Sequence, residues 1–337
     1  GNFLDIFEDY AKKAISKGQP NLFSSLKFLY SQTSKVKIIE SFMFRILNDN
    51  NFESHSLWVW YYLGQHFNHI NNYERALEFS DTAVTHNPTF IDGYVIRGQI
   101  YKNMGNIKKL IETISIAHAL DEADRNINSI FANVLIKYHE LKQAEDLMSI
   151  YTTKPNSFWD YMKDIHCIWL FQKTSKMYFN KSDFKKTLNI CMIFENLYKT
   201  FENDPMDFHM YCMRKGTFNS YSNLCHDSWK LRDNIMYFKV ARVAVKALLI
   251  SLIIGSEANI HKNSFIDSNE TIKTFISPLL LFDKNIKNYY LAFEYYYLTK
   301  KVLLMLKVLL PLIKYEPSNP KTIFNYIRFL NFCNLFV

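Results

Sequence analysis

The sequence predicts an all-α protein in which antiparallel helix pairs stack into a right-handed superhelical solenoid. Two observations lead to this fold class. The 337 residues include only 8 glycines and 8 prolines, too few for the frequent turns of a β-sandwich or a barrel. Small and large apolar residues also recur at a fixed interval along the chain. Hydrophobic residues make up 48% of the chain, which is enough apolar surface to offset the entropy of ordering it.

The interval is set by the packing residues of successive helix pairs. In each of three units a small residue stands in the first helix and a large residue follows three positions later. Both sets are spaced by 34 positions: Gly64, Gly98 and Ala132, with Phe67, Tyr101 and Leu135. This period is that of tetratricopeptide repeats. The small residue lets two helices approach closely while the large one fills the groove beside it, and the next pair covers the apolar face that remains.

The domain organisation follows from this register. Residues 1–50 are predicted as a helical segment that continues the solenoid, and residues 57–156 as three tetratricopeptide repeats. Residues 157–254 are predicted as degenerate helical repeats with a basic cluster, after a slip of nine residues in the register. Residues 255–285 are rich in Asn and Ser and are predicted as a polar linker, and residues 286–337 as a further helical repeat. Because the chain begins with glycine instead of Met, we expect it to be a piece of a longer protein.

The placement of cysteine and histidine argues against disulfide and metal chemistry. The five cysteines are widely spaced and form no Cys-x-x-Cys, so neither a disulfide framework nor a zinc ribbon is expected. His66 and His69 lie three positions apart on one predicted helix, but no Cys or carboxylate with ligand spacing accompanies them. We therefore predict no metal site and interpret both as surface or groove histidines. The apolar stretch Ala247–Ile254 is too short for the roughly 20 residues of a membrane span, so no membrane partner is expected.

A cluster of positive charge lies between residues 209 and 254, in a chain whose formal net charge is +8. Only Asp227 and Asp233 oppose the cations of this segment, which are Arg214, Lys215, Lys230, Arg232, Lys239, Arg242 and Lys246. Positions 239, 242 and 246 share one helical face, and an antiparallel neighbour would add the pair at 214 and 215. The residues predicted to form a polyphosphate-binding groove are Arg214, Lys215, Lys239, Arg242 and, at its edge, Lys246. The alternatives are a solvated basic face, or cations paired with acids elsewhere.

Four stretches of the sequence resemble one known family. Leu120–Asn128 is similar to the family's turn motif LDxADRxxN, and Asp207–Lys215 to its helix start DFHxYCMRK. Lys17–Tyr30 is similar to the segment KGxPxLFxxLKxLY, and Leu57–Phe67 to the repeat opening LWVxYYLAQHY. They occur in the family's order. On these residues the chain resembles the large auxiliary subunit of the NatA N-terminal acetyltransferase complex, of which it would be a central fragment.

The resemblance implies a non-catalytic scaffold subunit. Such a subunit binds and positions the catalytic acetyltransferase subunit during co-translational N-terminal acetylation, for N-termini that are small and lack Met. The resemblance also implies a cytoplasmic location, ribosome association through the full-length protein, and no intrinsic cofactor. The family holds an inositol polyphosphate near its YCMRK helix, so inositol hexakisphosphate is expected at the basic cluster. The family's lysine-rich insertion is missing where residues 255–275 lie, and the family chain is longer at both ends.

The sequence offers no catalytic residues of its own. Acetyltransferases of the family's catalytic type cradle the pyrophosphate of acetyl-CoA in a glycine loop, and no Gly-x-Gly occurs in this chain. The alternative function is a tetratricopeptide-repeat adaptor that binds peptides. The carboxylate clamp of chaperone adaptors is absent, because its positions hold no cation: Tyr61, Gln65, Ile96, Asn126 and Ile130. Helical repeats that bind RNA need a basic residue in each repeat, so no sequence-specific nucleic-acid partner is expected.

Overall fold

The computed structural model of the chain describes residues 3–152, 157–204, 206–257, 268–283 and 285–334. These residues form helices and the turns between them, and no strand occurs in any of the described ranges. The chain divides into two compact units, residues 1–150 and 151–337. The predicted all-α fold class is confirmed.

The first unit is built from nine α-helices within its described residues. They are α1 (Phe3–Ser16), α2 (Leu22–Leu26), α3 (Thr33–Leu47), α4 (Ser56–His69), α5 (Tyr73–His86), α6 (Ile91–Asn103), α7 (Ile107–Leu120), α8 (Arg125–Lys137) and α9 (Leu141–Ser149). Helices α4 to α9 pack as three successive pairs over the predicted repeats. In the segment before them, Phe42 of α3 packs edge-on against Phe7 of α1. Both rings are buried, so this segment shares a core with the first repeat.

The second unit contains eleven α-helices within its described residues. They are α10 (Phe158–Asp164), α11 (Ile168–Asn180), α12 (Phe184–Glu202), α13 (His209–Arg214), α14 (Phe218–Asp227), α15 (Ile235–Glu257), α16 (Ser268–Thr271), α17 (Ser277–Leu281), α18 (Ile286–Leu298), α19 (Val302–Tyr315) and α20 (Pro320–Asn334). Helices α11 and α12 form one pair, and α18 and α19 form another. Helix α15 packs on α11, α12 and α18, and its Ala244 and Val245 are fully buried.

One turn recurs between the two helices of each pair. In each turn, one residue has a left-handed backbone with φ between +57° and +76°. These residues are Asn71, Gly105, His139, Ser182 and Lys300. The N–H of the next residue donates to the carbonyl five positions earlier, as from Asn72 to Phe67 (2.9 Å) and from Asn106 to Tyr101 (2.9 Å). This is the bond that closes a helix ending in a left-handed residue. The side chains of Asn72 and Asn106 then cap the second helix by accepting from the N–H groups at 75 and 109.

The predicted packing residues lie where helices meet. Gly98 is buried between α6 and α7, and a Cβ atom added to it would stand 2.6 Å from Cδ1 of Ile114. A Cβ atom added to Gly64 would be 3.7 Å from the carbonyl oxygen of Ala76, an ordinary contact. Ala132 of α8 is fully buried, and the large residues Phe67, Tyr101 and Leu135 are buried as well.

The structure differs from the predicted polar linker over residues 255–285. Residues 258–267 lie outside the described ranges, but residues 268–281 form α16, a π-helical turn Ile272–Ile276 and α17. Phe275, Ile276 and Leu279 of this stretch are buried, and it packs on α15. Apolar residues at this three- and four-residue spacing are what a helix needs to bury one face, and the polar composition of the preceding residues concealed it.

Candidate functional site

The cations of the predicted polyphosphate groove lie on two helices of the second unit. Arg214 ends α13 and Lys215 follows it, whereas Lys239, Arg242 and Lys246 belong to α15. Four of these five side chains, all except Arg242, are exposed and have no acidic partner within the described ranges. The ammonium group of Lys215 lies over the ring of Tyr211.

Arg242 is already paired with other side chains of the second unit. Its guanidinium group is half-buried and forms an ion pair with Asp283, and its Nε donates to Oδ1 of Asn288 at 2.9 Å. The Asn288 amide in turn donates to the main-chain oxygen of Asp283 at 2.8 Å. Burial lowers the pKa of Arg242 from its ordinary value. Arg242 therefore ties α15 to the start of α18, which the sequence alone did not predict.

Two other cations of the cluster are also paired. Lys230 lies 3.0 Å from Asp227, and Arg232 reaches Glu195 at 2.5 Å and also binds Glu202. The Glu195 carboxylate is fully buried. Burial raises its pKa, and the bonds from Tyr237 and Arg232 oppose that shift. Within the described ranges the cluster is thus split between three paired cations and four without an acidic partner. Asp227 pairs with Lys230, and acids 30 or more positions away pair with Arg232 and Arg242.

The same region exposes a large apolar surface. Helices α13 and α14 contain no buried residue. We call the segment 208–229 the apolar hairpin, after its seven large apolar side chains that are 45% to 63% exposed: Phe208, Met210, Tyr211, Met213, Phe218, Leu224 and Trp229. Large apolar side chains left exposed together on one segment indicate a site of protein or membrane interaction. Sequence reasoning missed it, because the cations Arg214 and Lys215 of the same segment drew the interpretation, although Phe208, Met210, Tyr211 and Met213 stand beside them in the sequence.

An open groove with a volume of about 910 Å³ is lined by two of the five predicted cations. Arg242 and Lys246 of α15 line it together with residues of α18 and α20, among them Lys287 and Lys321. The other three predicted polyphosphate ligands, Arg214, Lys215 and Lys239, do not line this groove.

Of the two histidines predicted on the surface or in a groove, His66 differs from the prediction and His69 agrees with it. His66 is fully buried, with Nδ1 2.7 Å from the hydroxyl of Tyr30 and Nε2 3.4 Å from the Glu40 carboxylate. Burial lowers the pKa of His66, and the Glu40 charge partly opposes this shift. His69 is exposed, with its ring edge-on to Phe23. Within the described ranges, no group of three metal-binding side chains occurs.

No helix within the described ranges has the length and apolar character that crossing a membrane requires. The five cysteines are free, with Cys191 buried and the others half-buried.

The fold defines a helical-repeat protein of the tetratricopeptide type. The sequence model of the family "N-terminal acetyltransferase A, auxiliary subunit" matches residues 1–254. The chain belongs to this family.

Relatives of known name agree with this assignment. The chain is 31% identical over 261 residues to "N-alpha-acetyltransferase 16, NatA auxiliary subunit" of Mus musculus. The match covers 73% of this chain and 30% of the relative. It is 28% identical over 260 residues to the N-terminal acetyltransferase A complex auxiliary subunit NAA15 of Arabidopsis thaliana, with 74% and 29% covered. These relatives are auxiliary subunits by name. The chain spans about three tenths of their length.

A solved structure supports the fold over nearly the whole chain. A chain in the structure of Naa15/Naa10 bound to HypK-THB superposes with a TM-score of 0.84 and is 26% identical. The superposition covers 98% of the present chain and 51% of the other.

Proposed function

We propose that this chain is part of a non-catalytic scaffold that binds and positions the catalytic subunit of an N-terminal protein acetyltransferase during co-translational acetylation. The observation that carries the proposal is the likeness, over 98% of the chain, to a chain from the solved Naa15/Naa10 assembly. The family match over residues 1–254 supports the same function.

The scaffold acts by holding its partner in one geometry. Contacts from rigid helices fix active-site loops of a bound enzyme, and such preorganisation lowers the barrier without any chemistry from the scaffold. The apolar hairpin offers the area for such a contact, because helices that bury nothing within their own chain gain by covering apolar side chains with a partner. Aromatic and methionine side chains, which make up most of the hairpin, are enriched at protein interfaces.

Co-purification with a tagged catalytic subunit tests this function. The variant Met210→Asp with Met213→Asp places charge on the hairpin and is expected to lose most of the co-purified protein. Phe28→Asp is the matched control, since Phe28 is a large apolar residue of the first unit that is 73% exposed. Retention of the catalytic subunit by the hairpin variant would place the interface elsewhere. Failure of the unaltered chain to co-purify would contradict the scaffold function itself.

We also propose that inositol hexakisphosphate binds at the free cations of the basic cluster. The support is that Arg214, Lys215 and Lys239 have no acidic partner within the described ranges. Arg214 and Lys215 are also the last two residues of the stretch that resembles the family's YCMRK motif. Because charge-assisted bonds to phosphate are strong, we expect Arg214→Glu with Lys215→Glu to abolish binding in calorimetry. The charge-matched variant Lys102→Glu with Lys108→Glu, on exposed lysines of the first unit, is expected to bind normally. Equal loss in both variants would show a diffuse charge effect only.

We further propose a cytoplasmic location and association with ribosomes through the full-length protein. The support is the resemblance to the auxiliary subunit family. Sedimentation of tagged protein with ribosomes through a sucrose cushion, at low and at high salt, tests it. Tagged protein that stays in the supernatant at low salt would contradict the ribosome association.

A further inference from the structure

The groove between α15, α18 and α20 carries a feature that the scaffold function does not use. We call it the lysine groove, after Lys246 of α15, Lys287 of α18 and Lys321 of α20, which line it with Asn325. Its volume is about 910 Å³. All its residues lie in the second unit.

The groove carries more positive than negative charge, since three lysines and Arg242 line it against the carboxylates of Glu294 and Glu316. Lys246, Lys287 and Lys321 have no acidic partner within the described ranges. The two acids of the groove are already satisfied by other groups. Glu294 pairs with Arg328 at 2.7 Å. Glu316 accepts from the Tyr290 hydroxyl and from the Asn319 amide, both at 2.8 Å.

Asn325 supplies the second, independent observation. The residue is only 3% exposed and lines the groove, and its side-chain amide has no hydrogen-bond partner in the part of the chain that the structure describes. Because this unpartnered amide is not fully enclosed by protein atoms and the residue lines the groove, the polar end of the side chain opens to the groove. Buried polar groups are normally satisfied. Asn288 of α18 shows the contrast, because its amide bonds to Arg242, Asp283 and the Leu279 carbonyl.

We propose that the lysine groove binds an acidic segment of an extended polypeptide. The Asn325 amide offers one acceptor and two donors, which matches the N–H and C=O of a peptide main chain. The three lysines pair with carboxylates placed along the segment. Leu291 and Phe324 give the groove apolar surface against which the aliphatic parts of the segment pack.

The composition of the groove favours a peptide over a compact polyphosphate. Phosphate oxygens only accept hydrogen bonds, so they leave the acceptor of Asn325 unused. The carboxylates of Glu294 and Glu316 line the same groove and repel a dense anion. Carboxylates spaced along an extended chain, which rises about 3.3 Å per residue, can avoid them. This binding does not depend on the scaffold function, since none of these residues belongs to the apolar hairpin.

The test is fluorescence polarisation with the full chain and a labelled peptide of repeating Glu-Ala. The Gln-Ala peptide of equal length controls for charge. Binding is expected for the acidic peptide only, and it should weaken as salt screens the charges. Lys287→Glu with Lys321→Glu should weaken binding at least about tenfold, against little change for the charge-matched Lys102→Glu with Lys108→Glu.

A third variant separates binding from folding. Asn325→Leu keeps the volume and removes the unpartnered amide, so the thermal midpoint should stay the same or rise while peptide affinity falls about tenfold. Equal affinity of the Asn325→Leu variant and the unaltered chain would overturn the main-chain contact. Binding of the Gln-Ala peptide as tightly as Glu-Ala, or displacement of the peptide by inositol hexakisphosphate at lower concentration than by unlabelled peptide, would overturn the proposal. Loss of catalytic-subunit binding in the hairpin variant would leave this result unaffected.

Discussion

Two glycines at the same place in successive repeats have different surroundings. A Cβ atom at Gly98 would stand 2.6 Å from the buried side chain of Ile114, whereas one at Gly64 would make ordinary contacts. We expect Gly98→Leu to lower the free energy of unfolding by about 1–3 kcal/mol through overpacking. Gly64→Ala should raise it by up to about 1 kcal/mol through helix propensity. Urea denaturation measures both, and a stable Gly98→Leu variant would show that α6 and α7 can separate without loss.

Breaking the ion pair between Arg232 and Glu195 is expected to lower the free energy of unfolding by more than the glycine substitution does. Glu195 is fully buried and held by Arg232 and by the hydroxyl of Tyr237, which donates at 2.7 Å. Arg232→Met leaves this carboxylate without its cation, and removing one partner of a buried pair costs about 3–5 kcal/mol. The double variant with Glu195→Gln should recover much of the loss, because no buried charge remains. Denaturation of the two variants checks this, and equal stability of both would show that the charge of Glu195 is not the cause.

His66 predicts a dependence of stability on pH. Burial lowers its pKa in the folded state, so below the ordinary value of about 6.5 the unfolded chain binds a proton that the folded chain does not. The free energy of unfolding therefore falls as pH drops through this window. Glu40 opposes the shift, while Arg75 and His69 add to it. Between about pH 7.5 and 5.5, we expect the unaltered chain to lose more stability than His66→Gln. Parallel losses in the two would contradict the assignment.

At the scale of the helix pair, the left-handed position of the recurring turn favours glycine, and this preference can be measured as a change in stability. Gly105 takes φ +76° with nothing near its missing Cβ, while Ser182 takes φ +59° at the equivalent place. A non-glycine residue in this conformation costs about 1–2 kcal/mol. Ser182→Gly is therefore expected to stabilise the second unit, and Gly105→Ser to destabilise the first by a similar amount. Opposite signs in thermal denaturation are the expected result, and equal signs would contradict it.

Elements that depend on local spacing were predictable from the sequence. The helix pairs of residues 57–156 follow from residues 34 positions apart, since each pair is specified by its own small and large side chains. The helix over residues 268–281 was missed because Asn- and Ser-rich composition outweighed the apolar spacing around Phe275. The ion pairs of Arg232 and Arg242 could not be predicted, because the acids that they bind lie 30 to 41 positions away in the sequence.

At the scale of the whole molecule, stability is unevenly distributed. The apolar hairpin buries no side chain on α13 or α14, whereas α15 next to it has fully buried residues such as Ala244. Segments with few buried contacts open locally at low cost. In hydrogen exchange, we expect the amides of residues 209–227 to exchange faster than those of α15 and, on the proposed function, to become protected when the catalytic subunit is added. Strong protection of the hairpin in the free chain would contradict this expectation.

The turn inside each helix pair also constrains how such a protein can change its length. The left-handed residue always follows the large packing residue by four positions, as Asn71 follows Phe67 and Ser182 follows Tyr178. The side chain of the large residue thus packs in the core, while its carbonyl accepts the hydrogen bond that closes the turn. An insertion between the two would break both at once. Between α5 and α6 and between α7 and α8, where the structure describes every residue, no bond of this kind occurs, and between α9 and α11 the chain accommodates the extra helix α10. Insertions and deletions in homologous genes should therefore fall between helix pairs and spare the turn within each pair.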